Sequence, residues 1–429
     1  MFGFANFLLL ALFAAAVFDL IFALARGGGL RGALHGLWNT PHLLFGQQLA
    51  EWRLQLGRIL FAAGLAAYEI SVVFCNSMAR QNWAWVQGVM SPVLEWLAFL
   101  CFGAKILFGT RYTWRELLAG GALYFIARWV YFNSQNIWWI GIVVAVLAAK
   151  DVPLRRPLQV YFASGCAAMA VVLALHFAGI VAPDLTSERM GALRGTYGYG
   201  HPNTFGGLVF GLVLAYALLR AQKVRWVDCL LVFAVGVFLL VGPASRSAAL
   251  CTLALAVGLV FCRLRAGHSV PRWLPGTCAG MVGLTAAVSY LLPLLVIKVG
   301  PWNNDIGPAW LAKLDSLLTC RISLTWMAYR LLDVKIAGQV FNWPTVDNSF
   351  AFALFQFGPV VAALLGILFA AALWGHAKQG RRVEVCCLFA MLAYAYMEVQ
   401  PFHLTTNPTA LLLCGAVFAQ TSAQWQKIE

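Results

Sequence analysis

Charged side chains are scarce in this chain. Only 11% of its 429 residues are Asp, Glu, Lys or Arg, with 16 acids against 30 bases. A soluble domain carries about a quarter of its residues as charges, so a fold wetted on all sides is excluded. The 11 cysteines lack the spacing of a zinc site or a disulfide framework. Cys101, Cys166, Cys229, Cys251, Cys386 and Cys387 fall inside apolar stretches and read as small core residues. No glycine-rich nucleotide loop is present, so the chain brings no ATP-hydrolysing machinery of its own. Apolar and polar residues do not alternate within the hydrophobic runs, which excludes a β-barrel.

What is abundant is apolar: 62% of residues are hydrophobic, with 17 Trp and 30 Phe. Runs able to cross about 30 Å of hydrocarbon recur along the chain, and helices are the element that satisfies its own backbone there. The expected fold is an all-α polytopic membrane protein, one integral domain over residues 1–429. Spans are predicted near 4–25, 59–76, 89–108, 117–132, 133–149, 158–182, 204–220, 226–243, 248–262, 273–297, 348–375, 383–398 and 409–421. That makes about 12 or 13, the segments 133–149, 248–262 and 409–421 being short enough to be re-entrant or tilted. The first run has no small-residue cleavage site behind it and is expected to stay as a helix.

Basic residues in short connections set orientation. Arg26, Arg31, Arg53 and Arg58 share a face, by parity, with Arg111, Arg115, Lys150, Arg155, Arg156, Lys223, Arg225, Arg263, Arg265, Arg272, Lys378, Arg381 and Arg382. That face is expected to be cytoplasmic. Topology and anionic headgroups then account for much of the net charge of +14, and nucleic acid is set aside as a partner. The outward connections are 77–88, 133–136, 183–203, 244–247, 298–347 and 399–408. Only 298–347 is long. Its mixed charge predicts a partly helical cap, and its apolar period over 314–331 predicts an amphipathic helix lying on the membrane.

Residues with chemical capacity concentrate on this outward face. In loop 183–203, Arg189 and Arg194 precede Gly195, Gly198 and Gly200, which stand among tyrosines. Guanidinium groups bind phosphate oxygens in pairs, and glycine lets backbone approach a ligand; the pair is either a diphosphate clamp or an anchor at headgroup level. His201-Pro202-Asn203 follows, with Asn203 expected as the N-cap of the next helix and His201 as a phosphate donor or proton shuttle. Arg246, in the tight turn Pro243-Ala-Ser-Arg-Ser247, is read as a third phosphate ligand in preference to a snorkelling side chain. Arg321 points either into a pocket or into water. Asp347 is a candidate base, beside Asn348 or Ser349 as a helix cap. Glu398 and His403 form a second polar knot on the same face, and either is also a candidate base. Within the spans, Asp19, Glu69, Glu95, Lys105 and Arg128 need partners or a cavity, which keeps an ion-coupled carrier as a competing reading.

Five segments in order carry a resemblance: Arg194-Gly-Thr-Tyr-Gly-Tyr-Gly-His-Pro-Asn-Thr-Phe-Gly206, Ser245-Arg-Ser247, Leu314-Asp-Ser-Leu-Leu-Thr-Cys-Arg-Ile-Ser323, Val346-Asp-Asn-Ser-Phe350 with Gly358, and Glu398 with Asn407. Together they resemble the O-antigen polymerase and ligase family, most of all the repeat-unit polymerases of bacterial capsule and exopolysaccharide. The resemblance covers roughly the second half of the chain, and Cys320 departs from it where a small residue such as Gly is expected. It implies a membrane-embedded glycosyltransferase of the C type, independent of metal and of any other cofactor. The implied donor is an oligosaccharide on undecaprenyl diphosphate. Arg189, Arg194, Arg246, Arg321, Asn203 and Asn348 would hold diphosphate and glycan, and one of Asp347, Glu398, His403 and His201 would be the base. The implied setting is the cell membrane, with its lipids, a chain-length regulator and a flippase as partners. A ligase that passes finished glycan to another acceptor shares this donor chemistry. A transporter of lipid-linked oligosaccharide or solute is the alternative of another class, and no internal repeat of the kind such carriers show is evident.

Overall fold

The apolar runs become helices throughout. A computed structural model describes residues 2–27, 29–45, 50–181, 187–189, 192–296 and 307–418. In order these form α1 (Phe2–Ala25), α2 (Gly29–Asn39), β1 (His42–Leu43), α3 (Ala50–Cys75), α4 (Ala79–Asn82), α5 (Ser91–Phe108), β2 (Arg111–Tyr112), α6 (Trp114–Ser134), α7 (Ile137–Ala148) and α8 (Arg155–Phe177). The hairpin β3 (Ser187–Arg189) and β4 (Ala192–Arg194) leads into α9 (Pro202–Leu219), α10 (Trp226–Val241), α11 (Arg246–Leu264) and α12 (Leu274–Leu291). The remainder is α13 (Ala309–Leu317), α14 (Arg321–Leu331), α15 (Ser349–Phe352), α16 (Pro359–Lys378), α17 (Arg382–Met397) and α18 (Cys414–Phe418).

Among the described residues, eight helical segments are long and apolar enough to cross a membrane, from Gly3–Ala25 to Pro359–Lys378. The chain is an all-α polytopic membrane protein. Five of the predicted spans are absent from that group for identifiable reasons. α6 has Arg115 and Glu116 in its first turn and carries Arg128 further on. α7, α10 and α17 have 12, 16 and 16 residues. The last run is split into a 3-10 turn, Pro408–Leu413, followed by α18. By contrast 248–262, expected as short, extends to the full α11.

Two predicted elements are broken. The span at 348–375 is interrupted by a π-helical turn, Ala353–Phe357, and by Gly358, whose φ of 89° only glycine adopts freely. A side chain there would strike the carbonyl of Ile336, because the chain before Asp347 crosses over the break. The single amphipathic helix expected over 314–331 is instead α13 and α14, separated by Thr319 and Cys320 at φ values of 63° and 62°. The departure noted at Cys320 is thus a real left-handed residue, held at a cost of about 1–2 kcal/mol.

α9 is the central helix that places the site. Its glycine face accepts neighbours at backbone distance: a side chain on Gly206 would overlap Ser245 at the start of α11, and one on Gly211 would stand 2.6 Å from the Thr405 carbonyl. Close approach through small residues is how membrane helices gain packing without help from water. Residues 398–413 thereby pack as irregular backbone against the middle of α9, with Thr405, Thr406, Asn407 and Thr409 buried. Such backbone is tolerated at depth only when protein surrounds it. Here the Tyr161 hydroxyl on α8 donates to the Thr405 carbonyl, and Asn407 Nδ2 donates to the Pro401 carbonyl at 2.9 Å.

Candidate functional site

Loop 194–200 is fixed from below. Tyr197, at φ 52°, stacks on Phe205 with ring centroids 5.0 Å apart. Gly198, at φ 81°, lies so close to α8 that a Cβ would sit 3.0 Å from His176. Ser77 and Tyr199 form a β-bridge. This places Arg194 at the start of α9, 7% exposed, where its Nη2 donates to Asn203 Oδ1 at 2.9 Å and to the Ala244 carbonyl at 3.2 Å.

The helix start differs by two residues from expectation. His201, not Asn203, is the N-cap: its Nδ1 accepts from the Asn203 amide at 3.1 Å, with Pro202 in the first helical position. Asn203 is thereby released from capping. Its Oδ1 takes Arg194 and its Nδ2 donates to Glu398 Oε1 at 3.0 Å, tying the loop to the end of α17.

Arg321 approaches from the other side. As the first residue of α14 it is 8% exposed, and its Nη2 meets Glu398 Oε1 at 2.5 Å. Its Nε donates to the Met397 carbonyl, one of the last of α17, and its Nη1 to the Leu318 carbonyl at 2.8 Å. Asp315 accepts from the Ile322 and Ser323 amides at 2.7 and 3.2 Å, so the turn that presents Arg321 is itself capped. Ser247 Oγ completes the knot, donating to Glu398 Oε1 at 2.8 Å.

A cavity of about 360 Å³ opens between these elements, lined by Arg194, His201, Asn203, Arg246, Arg321 and Asp347 among others. Ser247, Thr319 and Met397 also face it. Arg246 is exposed at the first turn of α11 and has no carboxylate partner among the described residues. Helices α9, α11 and α14 all begin at the cavity, so their positive dipole ends add to the guanidinium charge. An anion is the species this arrangement favours.

The two carboxylates differ in role. Glu398 is 4% exposed and stands behind Arg321. Burial, opposed by Arg321 and reinforced by the neighbouring Asp347 charge, pushes its pKa up to about 7. Asp347 lies in the cavity wall, 4.0 Å from Arg321 Nε and with its side chain 31% exposed. Partial burial raises its pKa, while Arg321 and His201 pull the other way. Burial and Arg194 lower the pKa of His201, leaving a neutral ring with Nε2–H as its donor.

The structure places two predicted site residues elsewhere and leaves a third, Arg189, outside the described side chains. Asn348 caps α15, accepting from the Ala351 amide at 3.0 Å and donating to Ser289 Oγ and the Tyr396 carbonyl, each at 3.0 Å. With these partners it is a structural residue. His403 packs against Trp138 in a tilted contact, 4.0 Å between ring centroids, and does not line the cavity; burial drives its pKa down to about 4, which makes it a poor base. The Arg189 side chain lies outside the described residues, although its backbone pairs with Ala192 in the hairpin. Sequence reasoning missed Ser247 as the clasp on Glu398. Its only signal was its place beside Arg246.

Comparison with known proteins finds no matching family model, no matching curated sequence and no matching solved structure. The fold and cavity define a class: a multi-pass helical membrane protein with an arginine-rich cavity at the ends of its central helices.

Proposed function

We propose that the chain is a polysaccharide polymerase that moves a growing glycan from undecaprenyl diphosphate to a hydroxyl of a lipid-linked repeat unit, at the outer face of the cytoplasmic membrane. One observation supports this above the rest. Arg194, Arg246 and Arg321, far apart in the chain, meet at one cavity with Asp347 in its wall. In the proposed step the acceptor oxygen bonds to the anomeric carbon as the bond from that carbon to the diphosphate oxygen breaks. The acceptor proton passes to Asp347, and the growing charge on the diphosphate is met by Arg246, Arg194 and the three helix starts. Glu398 holds Arg321 in place and takes no part in the proton transfer.

A second, apolar groove of about 50 Å³ is lined in part from the same stretch of chain. Asp347 lines the cavity, while Ser349 and Phe350 line the groove with Tyr290, Phe369, Leu392 and Phe402. Ser349 Oγ donates to the Glu398 carbonyl at 2.6 Å. The test is to incubate the purified protein with a lipid-linked repeat unit and separate the products by length. A ladder supports polymerisation. Product formed only with a different acceptor would indicate a ligase, and no new glycosidic bond would indicate a carrier.

A further inference from the structure

On the far side of α9 is a polar cluster that the proposed reaction leaves unused. Glu69, within α3, is 2% exposed, and its Oε2 has no hydrogen-bond partner among the described residues. The Tyr199 hydroxyl and Thr405 Oγ1, on residues 0% exposed, are without partners in the same sense. The three come from separate parts of the chain yet gather around α8. Glu69 Oε1 lies so close to α8 that a Cβ on Gly165 would stand 2.8 Å from it. One turn away, Tyr161 donates to the Thr405 carbonyl. Tyr199 reaches the same region from the loop, near enough for a charge on Glu69 to bear on its hydroxyl.

Buried polar atoms left without protein partners are commonly joined by ordered water, which needs several polar neighbours in one place. An intramembrane carboxyl with no cation beside it is also a functional candidate in its own right. We propose that Glu69, Tyr199 and Thr405 enclose ordered water beneath the loop that carries Arg194, and that Glu69 is a positioning residue for that loop. The inference of position rests on reading the cavity as the substrate site. The inference of water does not. With no Lys or Arg paired to it among the described residues, Glu69 acts through hydrogen bonds, so Gln replaces it in shape and bonding whereas Leu does not.

Two measurements on the full-length protein separate these parts. Radiolytic hydroxyl footprinting should label Tyr199 despite its burial, because bound water supplies the radical, and the label should vanish in Glu69→Leu and persist in Glu69→Gln. In the polymerisation assay, Glu69→Leu should raise the KM for the lipid-linked donor roughly 10- to 100-fold through misplacement of Arg194, with Glu69→Gln restoring it. Should Glu69→Leu not fold, footprinting of the unaltered chain and of Glu69→Gln still decides. An unlabelled Tyr199, or a Gln variant as impaired as the Leu variant, overturns the proposal. If Tyr199 is labelled and no variant makes polymer, including the unaltered chain, the proposed reaction fails and the water site stands.

Discussion

The bundle buries charge at both ends and treats it differently. Near the start of α3, where Gly57 and Gly109 touch, Lys105 is 0% exposed and donates to Thr110 Oγ1 at 2.6 Å and to the Lys150 carbonyl at 2.5 Å. Lys150 in turn meets Glu116 at 3.2 Å and Asp151 at 3.5 Å. Each ammonium is closed off by protein oxygens, and the cluster ties α5 to α6 and to the turn after α7. At the far end of α3, beyond the Ser77–Tyr199 bridge, Arg194 and Arg321 are also held by protein oxygens, but they line a cavity beside the exposed Arg246. Arg321 is half-closed by Glu398, and Arg246 has no acidic partner among the described residues. Saturated charge holds helices together, and charge left facing an opening is available to a ligand.

Substitutions at the two ends should therefore separate stability from activity. The largest combined effect is expected for Arg321→Ala. It strips Glu398 of its counter-charge, which should lower stability by about 3–5 kcal/mol in a chemical-denaturation series and abolish polymerisation. Next is Asp347→Asn, which should reduce kcat about 10²- to 10⁴-fold with unchanged thermal stability, as removal of a general base does. Arg246→Ala should cost about 10²- to 10³-fold in kcat, again without loss of stability because the side chain is exposed. Lys105→Met makes the opposite case: the melting temperature is expected to shift while the KM for the donor does not. Equal losses of stability from Arg246→Ala and Lys105→Met would erase the distinction between the two ends.

The smallest effect is one of pH. Glu398 titrates near 7, above the ordinary carboxylate range, so activity should fall below about pH 7 as the proton is taken up and Arg321 is released. Stability runs the other way. A carboxyl raised by burial contributes fully below its unfolded pKa and loses that contribution as pH rises through about 7. Melting curves of the unaltered chain and of Glu398→Gln across this range should show the slope only in the former.

Much of this arrangement was legible in the sequence. Arg194, Arg246 and Arg321 stand in connections or at helix starts, and basic residues in such positions read directly. The partition between Glu398 and His403 was not legible. Both lie in one polar stretch, and only the irregular path of 398–413 around the glycine face of α9 sends His403 to Trp138 and Glu398 to Arg321. Asn203 was misread because Asn is a favoured cap, whereas Pro202 in the first helical position moves the cap to His201. The break at Thr319 and Cys320 carries neither Gly nor Pro, so local composition gives no warning of it.

The proposed reaction requires the arginines at the cavity to hold a diphosphate. Native mass spectrometry of the purified protein with undecaprenyl diphosphate, compared with undecaprenol, tests it most directly. A complex with the diphosphate lipid is expected, retained in Lys105→Met and lost in Arg246→Ala. Equal binding of the two lipids, or undiminished binding of the diphosphate lipid by Arg246→Ala, would contradict it.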